Sequence, residues 1–159
     1  MRYFSRYKNE YGEFIIVDEE SKITNLALSA YAVIGEDMLE RETKVLLQAK
    51  RELTEFFLGR RKHFDVPLKA RGSEFQEKVW QSLREIPYGE TYTYGQVAHL
   101  IGNAKAARAV GMANHRNPIL FMIPCHRVIG AQGKLVGYAG GLALKEKLLL
   151  LEKKHKESV

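Results

Sequence analysis

Thiol groups are almost absent from this chain, which has one cysteine, Cys125, in 159 residues. A lone cysteine has no disulfide partner in its own chain and no second thiol to resolve a product formed on its sulfur. Any covalent chemistry at this thiol therefore ends on Cys125, unless a second molecule removes what the sulfur has picked up.

Long apolar runs are absent as well. No stretch approaches the roughly 20 apolar residues that span a bilayer, and the opening segment MRYFSRYKNEYGE lacks the apolar core of a signal peptide. We therefore expect a cytoplasmic protein without a membrane partner, in a reducing compartment that suits a free thiol. A hydrophobic content of 45% predicts a folded core, in one ordinary domain or two small ones.

Acidic side chains become scarce in the second half. Residues 1–72 carry 13 basic and 12 acidic side chains, residues 73–159 carry 12 and 7, and no aspartate follows Asp65. The half that holds Cys125 is thus the more basic half of a chain whose net charge is +6. This charge favours a polyanionic partner, DNA or RNA first, and a solvated lysine surface is the alternative.

The first half is predicted to consist of strands followed by one helix. The predicted elements are strands at 13–17 and 22–30, a helix at 38–58 that Gly59 ends, and a short edge strand at 63–68. Residues 69–72 are the predicted boundary between a domain of residues 1–72 and a domain of residues 73–159. Because the second half is mainly helical, the predicted fold class is α+β.

Helix-start signals divide the second half. Ser73 with Gln76 and Thr93 with Gln96 both match the capping-box pattern. Gly102 is placed to end the helix that starts at Thr93. After a short turn, Asn103 is predicted to cap a helix at 104–115, and such a pair is typical of a helix-turn-helix. Two packed helices with no DNA role give the same pattern.

The predicted helix at 104–115 is slim. Small residues occupy six of its positions: Ala104, Ala106, Ala107, Ala109, Gly111 and Ala113. Its long basic side chains are Lys105 and Arg108, and Arg116 follows it. A slim helix can approach another surface closely with an arginine projecting, which favours nucleic acid. The alternative is that alanines form helix well and pack against a neighbour.

Glycines cluster after Cys125, at 130–133 and 137–141, without the GxGxxG spacing or the strand-to-helix step of a nucleotide-binding motif. We therefore expect no dinucleotide or S-adenosylmethionine cofactor. One cysteine with scattered histidines gives no metal-ligand spacing, so no metal is expected. A closing helix at 142–154 buries three leucines, and Glu152 lies beside that apolar face.

Cys125 is followed directly by His126, an arrangement that favours nucleophilic chemistry. The thiolate is the reactive form, and an imidazole can take the thiol proton directly or through one water. A carboxylate usually orients such an imidazole, and Glu152 is the candidate. Neighbours in an extended segment point to opposite sides, so contact between Cys125 and His126 requires a turn or a water. A buried, inert cysteine is the alternative.

Several segments of the second half keep the order and spacing of one known family. They are YTYGQVA at 92–98, AARAVG at 106–111, NPILFMIPCHRV at 117–128, GYAGGL at 137–142 and KEKLL at 145–149, with Glu152. From about Ser73 to Glu152 the chain resembles the O6-alkylguanine-DNA alkyltransferases (methylated-DNA–protein-cysteine methyltransferases). Residues 1–72 fit the family's variable N-terminal domain only by size and by strand-then-helix order.

The resemblance implies direct-reversal DNA repair in a single turnover. The alkyl group of O6-alkylguanine, and of O4-alkylthymine, in duplex DNA would move irreversibly to Cys125. The implied catalytic residues are Cys125 as acceptor, His126 as base through a water, Glu152 as the group that orients His126, and Tyr94 as donor to N3 of the leaving guanine.

The resemblance also implies how damaged DNA is bound. The implied partner is double-stranded DNA held through its minor groove by a monomer, with the target base flipped out. The implied DNA-binding residues are Arg108 as the finger that replaces the flipped base, Asn117 as a hinge, and Tyr94, Lys105, Ala107 and Gly111. The implied substrate pocket consists of Tyr138, the backbone N–H of Ala139 facing O6, and the carbonyls of Cys125 and Val128 facing the guanine amino group.

The fold implied is a ribonuclease H-like α/β domain followed by a mainly helical domain with a winged-helix-like helix-turn-helix. The chain departs from some relatives at Ala139, where they carry serine, and at Leu120, where they carry proline. It also lacks the N-terminal cysteines that hold zinc in some of them.

Two rival functions stand beside this one. A non-catalytic alkyltransferase-like protein would bind the lesion without a nucleophile, whereas Cys125 is present here. A Cys-His-Glu hydrolase would turn over repeatedly and has no need of a helix-turn-helix, Arg108 and Tyr94 together.

Overall fold

The N-terminal part is built on a four-stranded sheet. The computed structural model describes residues 1–157. The strands are β1 (Arg2–Asn9), β2 (Gly12–Glu19), β3 (Lys22–Leu28) and β4 (Met38–Glu40). Their spatial order is β3-β2-β1-β4, with β1, β2 and β3 antiparallel and β4 parallel to β1. The strands predicted at 13–17 and 22–30 correspond to β2 and β3.

Alternating side chains of β2 serve the two faces of this sheet. Phe14 and Ile16 pack into the main core of the molecule, whereas Ile15 and Val17 pack with Phe4 in a small cluster on the opposite face. This division follows from the two-residue period of a strand. The main core is thus continuous from the sheet into the helical part of the chain.

The helix predicted at 38–58 begins later than expected. Helix α1 spans Lys44–Phe57, because residues 38–40 pair with β1 as β4 and the Thr43 side chain caps the helix by accepting from the amide of Leu46. Its end was predicted correctly, since Gly59 follows in the left-handed conformation with φ of +76°.

The short strand predicted at 63–68 was wrong. Only Leu68 makes an isolated bridge, to Ile23. The amides of Asp65 and Val66 donate instead to the buried carboxylate of Glu52, at 2.8 and 3.1 Å. Donors used by a side chain are not available to a sheet, so this segment follows an irregular path.

The C-terminal part is mainly helical. Its elements are α2 (Glu74–Leu83), β5 (Tyr92–Thr93), α3 (Tyr94–Leu100), α4 (Ala107–His115), β6 (Val128–Ile129) and α5 (Leu142–His155). Both predicted capping boxes are present, at Ser73 and at Thr93. Within residues 1–157, no helix is long and apolar enough to cross a membrane.

The helix predicted at 104–115 starts three residues later than expected. Gly102, with φ of +78°, ends α3 as predicted, and the chain then turns so that the amide of Ala106 donates to the carbonyl of Asn103. Asn103 therefore lies in a turn and caps no helix; α4 begins at Ala107 without a side-chain cap. Lys105 consequently lies in the turn between α3 and α4.

Two contacts fix the segment that leads to Cys125. The backbone of Leu26 in β3 donates to the carbonyl of Pro118 at 2.8 Å and accepts from the amide of Leu120 at 3.0 Å. Phe121 packs edge-on against Phe14, with ring centroids 5.2 Å apart. The N-terminal sheet thus positions the chain directly before the cysteine.

Candidate active site around Cys125

Cys125 opens a 3₁₀ turn of residues 125–127 and is fully buried. The side-chain amide of Asn117 donates to its sulfur at 3.0 Å and to the carbonyl of Ile123 at 2.8 Å. The Asn117 carbonyl oxygen accepts from the amide of Ile119 at 2.9 Å. Because both ends of Asn117 are engaged, its donor is held on the sulfur in one orientation.

The thiol of Cys125 needs a base. Burial raises its pKa to about 11, although the hydrogen bond from Asn117 and the charge of Lys145 oppose that rise. A thiol with such a pKa is protonated near neutral pH, so a group that removes its proton is required for nucleophilic reaction.

His126 and Glu152 form a buried pair beside the cysteine. Nε2 of His126 lies 2.5 Å from Oε2 of Glu152, while Nδ1 is buried with no hydrogen-bond partner within residues 1–157. Burial lowers the pKa of His126, against the opposing effect of Glu152, and so favours the neutral imidazole. With its proton on the nitrogen that faces the carboxylate, the ring presents Nδ1 as a proton acceptor.

Arg127 completes the environment of Glu152 and was not predicted as a site residue. Its guanidinium donates to both carboxylate oxygens, at 2.8 and 3.0 Å, and to the carbonyl of Ile86 at 2.8 Å. The amide of Gly89 adds a fourth donor to the carboxylate at 3.0 Å. Burial would raise the pKa of Glu152, but His126 and Arg127 outweigh it and lower that pKa to about 2. The carboxylate therefore stays ionised and fixed.

Tyr94 on α3 and Tyr138 in the loop before α5 lie within the electrostatic influence of Cys125. Tyr94 starts α3, and its hydroxyl donates to the carbonyl of Val136 at 3.0 Å. Tyr138 is buried, and its hydroxyl has no hydrogen-bond partner within the described residues. Burial first, and the charge of Cys125 second, raise the pKa of both phenols. Both hydroxyls thus keep their protons. Ala139, the next residue after Tyr138, is half-buried.

Two further buried polar residues reach the same place without having been predicted. Lys145 of α5 donates to the carbonyls of Val128 at 2.5 Å and Val136 at 2.9 Å. Asn114 of α4 donates to the carbonyl of Cys125 at 3.3 Å. Two of these three carbonyls, those of Cys125 and Val128, are the ones that the resemblance assigned to the guanine amino group.

A sequence signal for these residues did exist. Lys145 and Glu152 are seven residues apart in a helix, which places them on one side two turns apart, and Leu148 between them marks that side as buried. Arg127 stands in an otherwise apolar run, where a buried cation requires an acidic partner. Asn114 had no comparable signal, since its burial depends on how α4 packs.

Three of the six residues predicted to bind DNA line an open cleft beside this site. The cleft has a volume of about 390 Å³, and its lining includes Tyr94, Arg108, Gly111, Val136 and Gly137. Arg108 is exposed on α4. A side-chain carbon at Gly111 would stand 3.8 Å from the Tyr94 ring, at ordinary contact distance, so Gly111 on α4 faces this ring.

The remaining predicted DNA-binding residues are more scattered. Lys105 is exposed in the turn before α4, and Ala107 is half-buried at the start of that helix. Asn117, expected to be a hinge, is buried with its amide on the cysteine sulfur. The structure thus brings together Cys125, His126, Glu152, Tyr94, Tyr138 and Val128, and leaves Arg108 and Lys105 at the outer surface.

Two models of one protein family match most of the chain. A family model described as 6-O-methylguanine DNA methyltransferase, ribonuclease-like domain, matches residues 2–70. A second, described as 6-O-methylguanine DNA methyltransferase, DNA binding domain, matches residues 74–154.

Similar proteins carry the same description. The methylated-DNA–protein-cysteine methyltransferase of Methanosarcina acetivorans is 47% identical over 152 residues, which cover 94% of this chain and 97% of that protein. The constitutive enzyme of that name from Bacillus subtilis is 43% identical over 159 residues and covers 96% of each chain. The crystal structure of Mycobacterium tuberculosis OGT in complex with DNA has a TM-score of 0.90 at 41% identity, covering 96% of this chain and 94% of that one.

Proposed function

The chain belongs to the 6-O-methylguanine DNA methyltransferase family, and on that premise we propose how its residues carry out the family's reaction. The protein is a DNA-repair enzyme that acts by direct reversal, moving an alkyl group from a DNA base to a cysteine of its own chain. Cys125 is that acceptor, since the chain has no other cysteine.

The chemical step is an in-line displacement at the alkyl carbon on guanine O6. The sulfur of Cys125 forms a bond to that carbon as the bond from carbon to O6 breaks. The thiol proton passes through a water to Nδ1 of His126, and the bonding electrons leave with the guanine. The thioether product is stable, so each molecule acts once.

The observation that carries this assignment is the buried pair that His126, on the turn that holds Cys125, forms with Glu152 of α5. Glu152 is held ionised by Arg127 and fixes Nε2 of His126, and this leaves Nδ1 as the acceptor. Such an arrangement supplies a base for a thiol whose burial otherwise keeps it protonated.

Tyr94 assists the departure of the guanine. Its protonated hydroxyl is a donor, and donation to N3 of the purine withdraws the negative charge that develops as the alkyl bond breaks. That hydroxyl donates to the carbonyl of Val136, so a hydrogen bond to N3 exchanges one acceptor for another.

The pocket for the flipped base lies between Tyr138, Ala139 and the carbonyls of Cys125 and Val128. The carbonyls accept from the guanine amino group, and the Ala139 amide donates toward O6. Asn114 and Lys145 hold those two carbonyls in place, which supports their role as fixed acceptors for the purine.

DNA reaches the pocket through α3 and α4, which act as a helix-turn-helix. The small side chains of α4, including Ala107 and Gly111, allow close approach to the minor groove, and Arg108 fills the space left by the flipped base. Lys105 adds a sequence-independent phosphate contact. Asn117 connects α4 with the turn that carries Cys125 and so acts as a hinge. The same route admits O4-alkylthymine.

The protein acts as a monomer in the cytoplasm, where a reducing environment keeps its lone thiol available.

Residues 1–72 form the ribonuclease H-like domain and residues 73–159 the DNA-binding and acceptor domain, a division supported by the two family matches at 2–70 and 74–154. No resident cofactor takes part in the displacement.

A non-catalytic lesion-binding protein is the alternative, and the presence of Cys125 argues against it. To test the acceptor, the protein is incubated with a duplex that carries O6-methylguanine and is then digested for peptide mass analysis. We expect one added methyl group on the peptide with Cys125, and none in the Cys125→Ser variant or after incubation with an undamaged duplex. An unchanged Cys125 peptide would overturn the assignment.

A further inference from the structure

Lys145 is a fully buried cation without a carboxylate partner in the described part of the chain. The other buried cation beside the site, Arg127, is paired with Glu152. A buried charge is costly unless it is paired and hydrogen-bonded. The ammonium of Lys145 instead donates to two backbone carbonyls, so its position requires another reason.

Those two carbonyls belong to two separate segments of the chain. Val128 directly follows the 3₁₀ turn of Cys125, whereas Val136 precedes Tyr138 in the loop that leads to α5. Val136 also accepts from the hydroxyl of Tyr94 at 3.0 Å. One ammonium therefore connects α5, the cysteine turn and the loop of the pocket wall.

We infer that Lys145 is a positioning residue for the alkyl transfer: it holds the Val128 carbonyl and the Val136 loop at the spacing of the pocket, and its positive charge is the counter-ion of the Cys125 thiolate. This inference rests on the proposed function. Before the reaction the ammonium has only dipoles as partners, so formation of the thiolate creates an ion pair without breaking another one.

The electrostatics around the sulfur agree with this role. Against the effect of burial, the charge of Lys145 lowers the pKa of Cys125, and Cys125 is in turn the charge that raises the pKa of Lys145. Burial nevertheless lowers the pKa of Lys145 to about 8, so the ammonium is still the main form at neutral pH.

The other groups that face this region do not replace Lys145. They are His126 and Arg127 on the cysteine's own turn, Glu152 on α5, Tyr94 on α3 and Tyr138 in the loop. His126 and Arg127 are both bound to the Glu152 carboxylate, and the two phenols are neutral. Lys145 is therefore the positive charge in this set that is left to balance a thiolate.

The test compares two cysteine reagents of similar size that differ in charge. Iodoacetamide is neutral and iodoacetate is an anion, and intact mass reports their reaction with the only cysteine of the chain. Both rates are measured at neutral pH for the wild type, Lys145→Gln, Lys145→Met and the exposed control Lys147→Met, whose lysine lies on the same helix. Lys145→Gln keeps an amide donor for Val128, and its folding is checked by circular dichroism.

Loss of the charge is expected to slow iodoacetamide about tenfold, which corresponds to a rise of about one unit in the thiol pKa. In addition, the ratio of the iodoacetate rate to the iodoacetamide rate is expected to fall by about tenfold, since the anionic reagent also loses its attraction to the Lys145 ammonium. A change that only altered access to the sulfur would affect both reagents alike. A folded Lys145→Gln protein with the wild-type ratio would overturn the counter-ion role.

The same proteins are then given a duplex with O6-methylguanine in a single-turnover assay. Lys145→Gln is expected to transfer methyl about tenfold more slowly while binding DNA as the wild type does. Failure of the wild type to accept a methyl group would contradict the proposed function, whereas the reagent ratio would still decide the role of Lys145.

Discussion

Oε2 of Glu152 lies 2.5 Å from Nε2 of His126, and both side chains are buried beneath the turn that carries Cys125. This contact fixes which ring nitrogen is left to receive a proton. It also accounts for the buried position of Arg127, because the guanidinium pairs with the carboxylate that binds His126.

Glu152→Gln removes the charge that orients His126 and leaves Arg127 unpaired. We expect methyl transfer to slow by about 100-fold or more, since general-base assistance is lost. The free energy of unfolding should fall by about 3 kcal/mol or more, because a buried ion pair loses one partner. Single-turnover kinetics and denaturant unfolding measure the two effects. Glu146→Gln, an exposed change in the same helix, should leave both unchanged.

Acid should destabilise the protein through the same carboxylate. The pKa of Glu152 is about 2 in the folded protein against an ordinary value of 4.5. A lowered folded-state pKa stabilises the fold above the unfolded-state value, and this stabilisation is lost as pH falls from there toward the folded-state value. The melting temperature should therefore fall more steeply between about pH 4.5 and about pH 2 for the wild type than for Glu152→Gln. Parallel curves would mean that the pair contributes nothing.

Arg108→Ala should separate base flipping from chemistry. Arg108 is exposed on α4 at the outer cleft. We expect repair of O6-methylguanine in a duplex to slow roughly tenfold, because the flipped state loses about 1.4 kcal/mol of support. Reaction with O6-benzylguanine as the free base should not change. Arg84→Ala, an exposed change after α2, controls for loss of one positive charge, and equal losses on both substrates would refute the finger role.

Tyr94→Phe should impair the chemical step and leave the fold intact. The ring remains packed, while the donor for the purine N3 and the bond to Val136 are removed. We expect transfer from duplex DNA to slow by about tenfold or more, with DNA affinity close to that of the wild type. Tyr92→Phe, two residues earlier and half-buried, serves as the matched control. An unaffected rate in Tyr94→Phe would exclude the proposed hydrogen bond from Tyr94 to N3.

Local signals in the sequence predicted the parts of the fold that local energetics decide. The capping boxes at Ser73 and Thr93 and the left-handed glycines Gly59 and Gly102 all occur where they were expected. The predicted start of α1 and the strand predicted at residues 63–68 were wrong. Pairing of β4 and the carboxylate of Glu52 override the local pattern there. Both are contacts between residues distant in sequence.

The site shows the same division. Cys125, His126 and Glu152 were identified from one motif and one helical face, and the structure brings them together. Lys145 was passed over because a lysine in a helix is ordinarily exposed. The carbonyls of Val128 and Val136, which accept from its ammonium, come together only in the packed fold.

Titration of a fixed amount of protein with a duplex carrying O6-methylguanine tests the central claim most directly. The number of methyl groups removed from DNA should rise with added duplex and stop at one per protein molecule, all of them on the Cys125 peptide. Removal of more than one methyl group per molecule, or a methyl group on any other residue, would contradict irreversible transfer to Cys125.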